Sequence, residues 1–233
     1  MANPTDEVRE KVLDAALVHV PFEGWSEATL RAAARDSGVS YSEARAVFPR
    51  GPVDLALAYH KRGDDRMVER LNAENLEDMR FRDKVAAAVR YRIEAIEDRE
   101  AARRGTTLFA LPQYAADGAR AVWQTADRIW TALGDTSTDA NWYTKRATLS
   151  GVYASTVLFW LGDDSLEHQD TWGFLDRRIE DVMRIEKLKG AVNENPVLRP
   201  LMTGPNWLMS RVRPPARVRT DLPGAMPMSS TGE

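Results

Sequence analysis

The sequence contains no cysteine in its 233 residues. Disulfides, thiol nucleophiles and zinc–thiolate sites are therefore excluded. It also lacks a long apolar run. "VLFWL" at 157–161 is the longest strongly apolar stretch, far short of the ~20 residues that cross a bilayer. The N-terminus, "MANPTDEVREK", has no apolar segment and places acids early. It resembles neither a secretory signal nor an Arg-rich transit peptide, which predicts a chain made and kept in the cytoplasm. A basic excess is missing as well. The formal net charge of −3 and a pI near 5.8 argue against a dedicated nucleic-acid binder. Catalytic signatures are equally scarce. None of His19, His60 and His168 follows a Glu by three residues, so the Glu-x-x-His pattern of di-iron helices is absent. There is no Gly-x-Ser-x-Gly and no phosphate-cradling Gly-rich loop. Acids interleave with bases, as in "EDMRFRDK", the pattern of solvated helix faces. No catalytic residue, metal site or cofactor is predicted.

What remains is helical periodicity. Apolar residues make up 43% of the chain and charged ones 29%, which fits a globular protein with a substantial core. Thr5 or Asp6 caps a first helix that runs to about Val20, with Pro21 and Gly24 ending it. Ser26 caps a short helix closed by Gly38, and Ser40 caps a second that runs to about Val47. Pro49, Gly51 and Pro52 break the chain before a long helix from about Val53 to Leu76. Five further helices are predicted at roughly 80–103, 106–116, 118–134, 140–162 and 170–190, and Pro112 kinks or stops the second of them. No strand alternation and no internal repeat is evident.

The two short helices around a Gly-centred turn form a helix-turn-helix unit. With Leu30, Ala33, Val39 and Phe48 as its apolar positions, it resembles the N-terminal module of TetR-family regulators. That resemblance implies an all-α fold whose C-terminal helical domain binds small molecules and dimerises. The charges of the module argue against DNA. Residues 26–48 hold Arg31, Arg35 and Arg45 against Glu27, Asp36 and Glu43, a net of zero, whereas DNA affinity rests on neutralising phosphates. TetR regulators usually carry a Lys near the start of the recognition helix and a Tyr and a His farther along. In "SYSEARAVF" those places hold Tyr41, Arg45 and Val47. The module reads as a degenerate one, kept for packing.

The helix beginning at "STDANWYTKRA", 137–147, is unusual. Asp139 is a good N-cap, with Ser137 and Thr138 as alternatives. Trp142 and Tyr143 then stand side by side in the first turn, although adjacent helical residues point about 100° apart. Trp142, Arg146, Leu149, Tyr153 and Trp160 form one stripe, while Ala147, Gly151, Ala154 and Ser155 form a small-residue face. Arg146 interrupts the apolar stripe one turn from Trp142, where a guanidinium can stack on an indole. One reading is an exposed aromatic–Arg group, of which protein-interface hot spots are made, and the other is a Trp lid over the core with the Arg lying on it.

"GDTSTDANWYTKRATLSGVY" at 134–153 and "DTWGFLDRRIEDVM" at 170–183 closely resemble the ubiquinone-biosynthesis accessory (Coq-nine) family, which has a TetR-like fold. The resemblance covers roughly residues 10–187, starting near "VLDAALVHVPFEGW". It implies a non-enzymatic, homodimeric protein that binds an isoprenoid lipid or quinone intermediate and partners the demethoxyubiquinone hydroxylase. It also implies that Asp139, Trp142, Tyr143 and Arg146 form the hydroxylase-binding patch. Lys145 stands where many members have an arginine. Cavity positions expected from small and apolar residues are Leu108, Leu111, Trp130, Gly151, Leu158 and Phe174.

Beyond Asn193 the composition shifts, and seven of the twelve prolines lie at 196, 200, 205, 214, 215, 223 and 227. "PVLRPLMTGPNWLMSRVRPPARVR" sets Trp207, Leu208 and Met209 among Arg211, Arg213 and further arginines, with no acid until Asp221. Such a segment suits contact with an anionic membrane surface. The expected architecture is therefore an all-α, TetR-like fold in three parts. Residues 1–50 form a degenerate helix-turn-helix module, 51–192 a helical lipid-binding and dimerisation domain, and 193–233 a Pro-rich basic tail. The expected setting is cytoplasmic with peripheral membrane association. The competing reading is a ligand-responsive TetR-type repressor.

Overall fold

The structure, a computed structural model, describes residues 4–137 and 140–194, with the side chains of Ala140 and of 185–194 outside the described set. Among the described residues all regular structure is helical. The nine α-helices are α1 (Pro4–Glu23), α2 (Glu27–Asp36), α3 (Tyr41–Val47), α4 (Pro52–Ala73), α5 (Phe81–Glu94), α6 (Arg99–Phe109), α7 (Ala115–Ala132), α8 (Ala140–Gly162) and α9 (Gln169–Glu194), with a 3₁₀ turn at Leu166–His168.

The helix-turn-helix unit is set by its caps. Ser26 Oγ accepts from the Thr29 N–H at 3.1 Å to start α2. Ser40 and Glu43 form a reciprocal capping box at the start of α3. Gly38 takes the left-handed conformation (φ 69°) that the turn between them requires. Pro52 at the first position of α4 needs no N–H donor there, which suits an abrupt start.

Three expectations differ from the structure, and one is the helix foreseen over 106–116: α6 ends at Phe109 and α7 begins at Ala115, with the connection around Pro112 between them. The helix foreseen over 80–103 is two helices, because Asp98 Oδ1 accepts from the Ala101 N–H and starts α6 afresh. α1 continues through Pro21 to Glu23, since a proline in the last turn leaves most of the hydrogen-bond ladder intact. Pro112 lies in the connection between α6 and α7, as its chemistry predicts.

The buried side chains fall into two clusters. The first joins Val12, Leu13, Leu30, Phe48 and Leu55 from α1–α4 with Ala101 of α6. The second joins Met67, Val89, Ile93, Ile129, Leu149, Tyr153 and Leu175 from α4, α5 and α7–α9. Arg62 of α4 stitches the two regions, pairing with Glu10 and Asp14 of α1 and with Glu97 before α6. The N-terminal turn of α6 grips the C-terminal end of α8, where Arg99 donates to the Trp160 and Asp163 carbonyls at 2.9 and 2.7 Å.

Candidate functional site

A cavity of about 430 Å³ lies among α4, α6, α7 and α8, where the two clusters meet. That volume falls in the range of small-molecule sites, ~300–1,000 Å³. Its walls are built from small residues: Ala101, Ala102 and Gly105 on α6, and Ala115, Gly118 and Ala119 on α7. α6 and α7 approach closely at Gly118, where a Cβ would come within 2.6 Å of the Phe109 Cβ. Val122, Val157 and Leu158 add apolar surface, and Leu158 is 59% exposed, so the cavity reaches the surface along α8. Trp25 closes another side, with its indole N–H fixed on the Ala101 carbonyl at 3.0 Å.

One end of this apolar space is polar. Arg92 and Asp64 form an ion pair in which both side chains are 3% exposed. The Arg92 Nη2 also donates to the His60 carbonyl at 2.9 Å. Thr125 Oγ1 donates to Asp64 and lies 2.8 Å from His60 Nε2. Burial, helped by the nearby Arg92 charge, pushes the His60 imidazole down to about 4, so the ring is neutral at pH 7. Burial pushes the Tyr153 hydroxyl up to about 12. Gly63 makes the arrangement possible, since a Cβ there would sit 2.6 Å from Arg92 Nη1.

The second feature of interest is at the start of α8. Trp142 and Tyr143 are both half-buried, and their rings meet edge-to-face at 4.8 Å. Both also contact the Trp123 ring of α7, at 6.0 and 6.3 Å. Two adjacent aromatics are accommodated because α7 supplies a third ring between the directions in which they point. Beneath them Arg146 is 2% exposed. Its Cζ stacks 4.0 Å from the Trp142 ring centroid, and it pairs with Asp127 and Asp135. Lys145 Nζ donates to Asp135 at 2.8 Å and to the Ser137 hydroxyl at 2.6 Å. Burial alone would raise the Asp135 carboxyl. The hydrogen bonds from Lys145, Ser137 and Arg146 outweigh it and hold the group far below the usual carboxylate range.

The expected stripe of α8 is present: Leu149, Tyr153 and Trp160 are buried along with Arg146. The expectation that Arg146 shows its charge to a partner is corrected. It supports the aromatic pair from below, because two carboxylates and an indole ring enclose it. Asp139 lies outside the described residues, as do Trp207, Leu208, Met209, Arg211 and Arg213.

Of the six expected cavity positions, Leu158 lines the cavity. Leu108 packs against the N-terminal cluster, and Leu111 is exposed between α6 and α7. Trp130 sits in the C-terminal core, stacked on Phe81, with its N–H on the Lys145 carbonyl. Gly151 faces open space on the outer side of α8. Phe174 stacks on Phe159 at 4.6 Å instead of entering the cavity. The residues that sequence reasoning missed are the alanines and glycines of α6 and α7. Their three- and four-residue spacing on consecutive helices was the available signal.

A second cleft of about 670 Å³ shares His60 and Ala121 with the first, but charged residues, Asp64 among them, line it. Arg50 pairs there with Asp54 and Asp117, and both Lys61 and Arg128 pair with Asp65 just beside it. It is a polar surface groove.

Residues 115–186, which span α7, α8 and the first part of α9, match the COQ9 family model. The ubiquinone biosynthesis protein COQ9 of Rattus norvegicus, described as mitochondrial, is 32% identical over 191 residues, covering 77% of this chain and 60% of that protein. The chain belongs to the COQ9 family. Its Homo sapiens relative of the same description is 30% identical over 77% of this chain and 59% of its own length. The probable ubiquinone biosynthesis protein coq9 of Dictyostelium discoideum is 29% identical over 81% of this chain and 64% of its own length. The chain thus spans about six tenths of the curated COQ9 proteins it matches. In three dimensions it is similar to a TetR transcriptional regulator from Nitrosomonas europaea, with a TM-score of 0.62 at 21% identity over 75% of this chain and 97% of the other. The COQ9 segment thus lies on a TetR-like, all-α scaffold, and it contains both the aromatic cluster and the α7 and α8 walls of the cavity. No helix among the described residues is long and apolar enough to cross a membrane.

Proposed function

We propose that this COQ9-family chain serves ubiquinone biosynthesis without chemistry of its own. It holds the apolar part of an isoprenoid or quinone intermediate in the cavity and presents it to a membrane-associated demethoxyubiquinone hydroxylase. The observation that carries this reading is the small-residue cavity between α6, α7 and α8, which substitutes protein surface for the bilayer around part of such a ligand. The names of the curated relatives supply the pathway.

The hydroxylase is proposed to dock on Trp142 and Tyr143, with Arg146 holding the Trp142 ring in place, and Asp139 is proposed from the sequence as a further member of the patch. The basic tail, with Trp207, Leu208, Met209, Arg211 and Arg213, is proposed to rest on an anionic membrane surface, which places the chain at the membrane as a peripheral protein. Association as a homodimer is part of the same proposal. A DNA-binding role is disfavoured: Arg45 of the recognition helix is 3.8 Å from Glu27, and Arg31 stacks on Tyr41.

The test is lipid carried through purification. Organic extraction and mass spectrometry of the wild type should yield a prenylated lipid. Ala154→Phe, which places a ring in the cavity from α8, should fold normally and yield little. A lipid-free wild type that binds its own promoter DNA at moderate salt would overturn the proposal in favour of a repressor.

A further inference from the structure

The cavity end formed by α4, α5 and α8 holds two polar groups that the fold leaves unused. Arg92 spends Nε on Asp64 and Nη2 on the His60 carbonyl, and its Nη1 has no hydrogen-bond partner among the described residues. Tyr153 Oη likewise has none. Both side chains are 3% exposed, both line the cavity, and the Arg92 guanidinium stands 5.6 Å from the Tyr153 ring centroid. Neither atom is among the fully enclosed polar atoms that lack a partner, so both open onto the cavity space, where a guest's acceptor can take the place of water.

The charge balance of this end limits what that something is. The Arg92 cation is already matched by Asp64 at contact distance, and His60 is neutral. A carboxylate or phosphate placed here would meet the Asp64 carboxylate with no spare cation and would be desolvated as well. An uncharged oxygen acceptor takes two hydrogen bonds, one from Arg92 Nη1 and one from the Tyr153 hydroxyl, without adding charge.

We propose that Arg92 and Tyr153 are the specificity-determining pair of the cavity: they select an amphiphile whose head is an uncharged carbonyl-type oxygen and reject anionic lipid heads. Gly63 is part of the device, because the space a side chain would fill is where Arg92 Nη1 rests. This inference rests on the reading that the cavity holds an apolar chain.

The test uses full-length protein stripped of lipid and four probes of equal chain length. These are 2-decanone, decanoate and decyl phosphate by titration calorimetry, and decane by headspace partition. In the wild type, 2-decanone should bind more tightly than decanoate or decyl phosphate. In Tyr153→Phe, 2-decanone should lose about tenfold in affinity while decane is held as before, which also shows that the cavity is intact. Equal 2-decanone affinity in wild type and Tyr153→Phe overturns the inference, and so does tighter binding of either anion. If decane binds but the head groups behave in that way, only the head-group inference fails. If no probe binds the wild type, the lipid-cavity reading itself fails and takes this inference with it.

Discussion

The Arg146 guanidinium lies 4.0 Å from the centroid of the Trp142 ring, and Asp127 and Asp135 hold it there. A cation buried to 2% exposure therefore forms the floor under a half-exposed indole. Removing the cation leaves Asp135, itself 4% exposed, with one cation in place of two. Arg146→Ala should lower stability by about 3 kcal/mol, the cost of breaking a buried pair. For a chain of this size that is a fall of roughly 6–12 °C in Tm, read by thermal melting.

Trp142→Ala acts differently, since the indole is a lid and not a core side chain. The loss in stability should be about 1 kcal/mol, the scale of a cation–π contact. Hydroxylase binding should weaken by roughly 30-fold, or about 2 kcal/mol, as for an interface hot spot. A pull-down and a titration with purified hydroxylase measure both. Undiminished capture by Trp142→Ala would remove the aromatic pair from the interface.

His60 makes stability sensitive to mild acid. Its folded-state value near 4 lies below the ordinary 6.5, so the unfolded chain takes up a proton first as pH falls. Its effect is nil above about pH 6.5, grows as pH drops, and is complete near pH 4. The full loss should be roughly 2–3 kcal/mol, allowing for the partial exposure of the ring. His60→Gln should melt at a temperature that changes less with pH across that window.

The tail can be tested by flotation with anionic liposomes. The full chain should float, and a truncation after Val192 should stay with the soluble fraction. Raising salt should weaken flotation, because arginine attraction to anionic lipid is screened within a Debye length of about 10 Å at 0.1 M.

The helix-turn-helix was legible because its punctuation is local: Ser26, Gly38, Ser40 and Pro52 act on their own neighbours. The buried stripe of α8 was legible for the same reason, through the regular spacing of Leu149, Tyr153 and Trp160. Asp98 was harder, as an acid within an acid–base run can equally be a solvated side chain or a cap. The cavity was the least legible feature. Alanine favours helices everywhere, so Ala102 or Ala119 carries no mark that its face meets a void. Trp130 misled in the opposite sense. A large ring near the end of a long helix suggests a wall, but its N–H found the Lys145 carbonyl and its face found Phe81. Arg146 could be placed beside Trp142 from spacing alone, whereas its burial depended on Asp127 and Asp135 arriving from α7 and the loop after it.

Much of the cavity wall on α6 and α7 is alanine and glycine, with Thr106, Phe109 and Val122 as the larger side chains. A gate made of rotamers would open in nanoseconds, but a wall of alanine and glycine yields only when its backbones separate. The contact of Gly118 with Phe109 is where these two helices would have to part. A guest narrow enough for the opening at Leu158 needs no such motion, whereas a bulkier one would need one helix to breathe against another. On the proposed reading, a partner that pried α7 from α6 would widen that exit and set the moment of release.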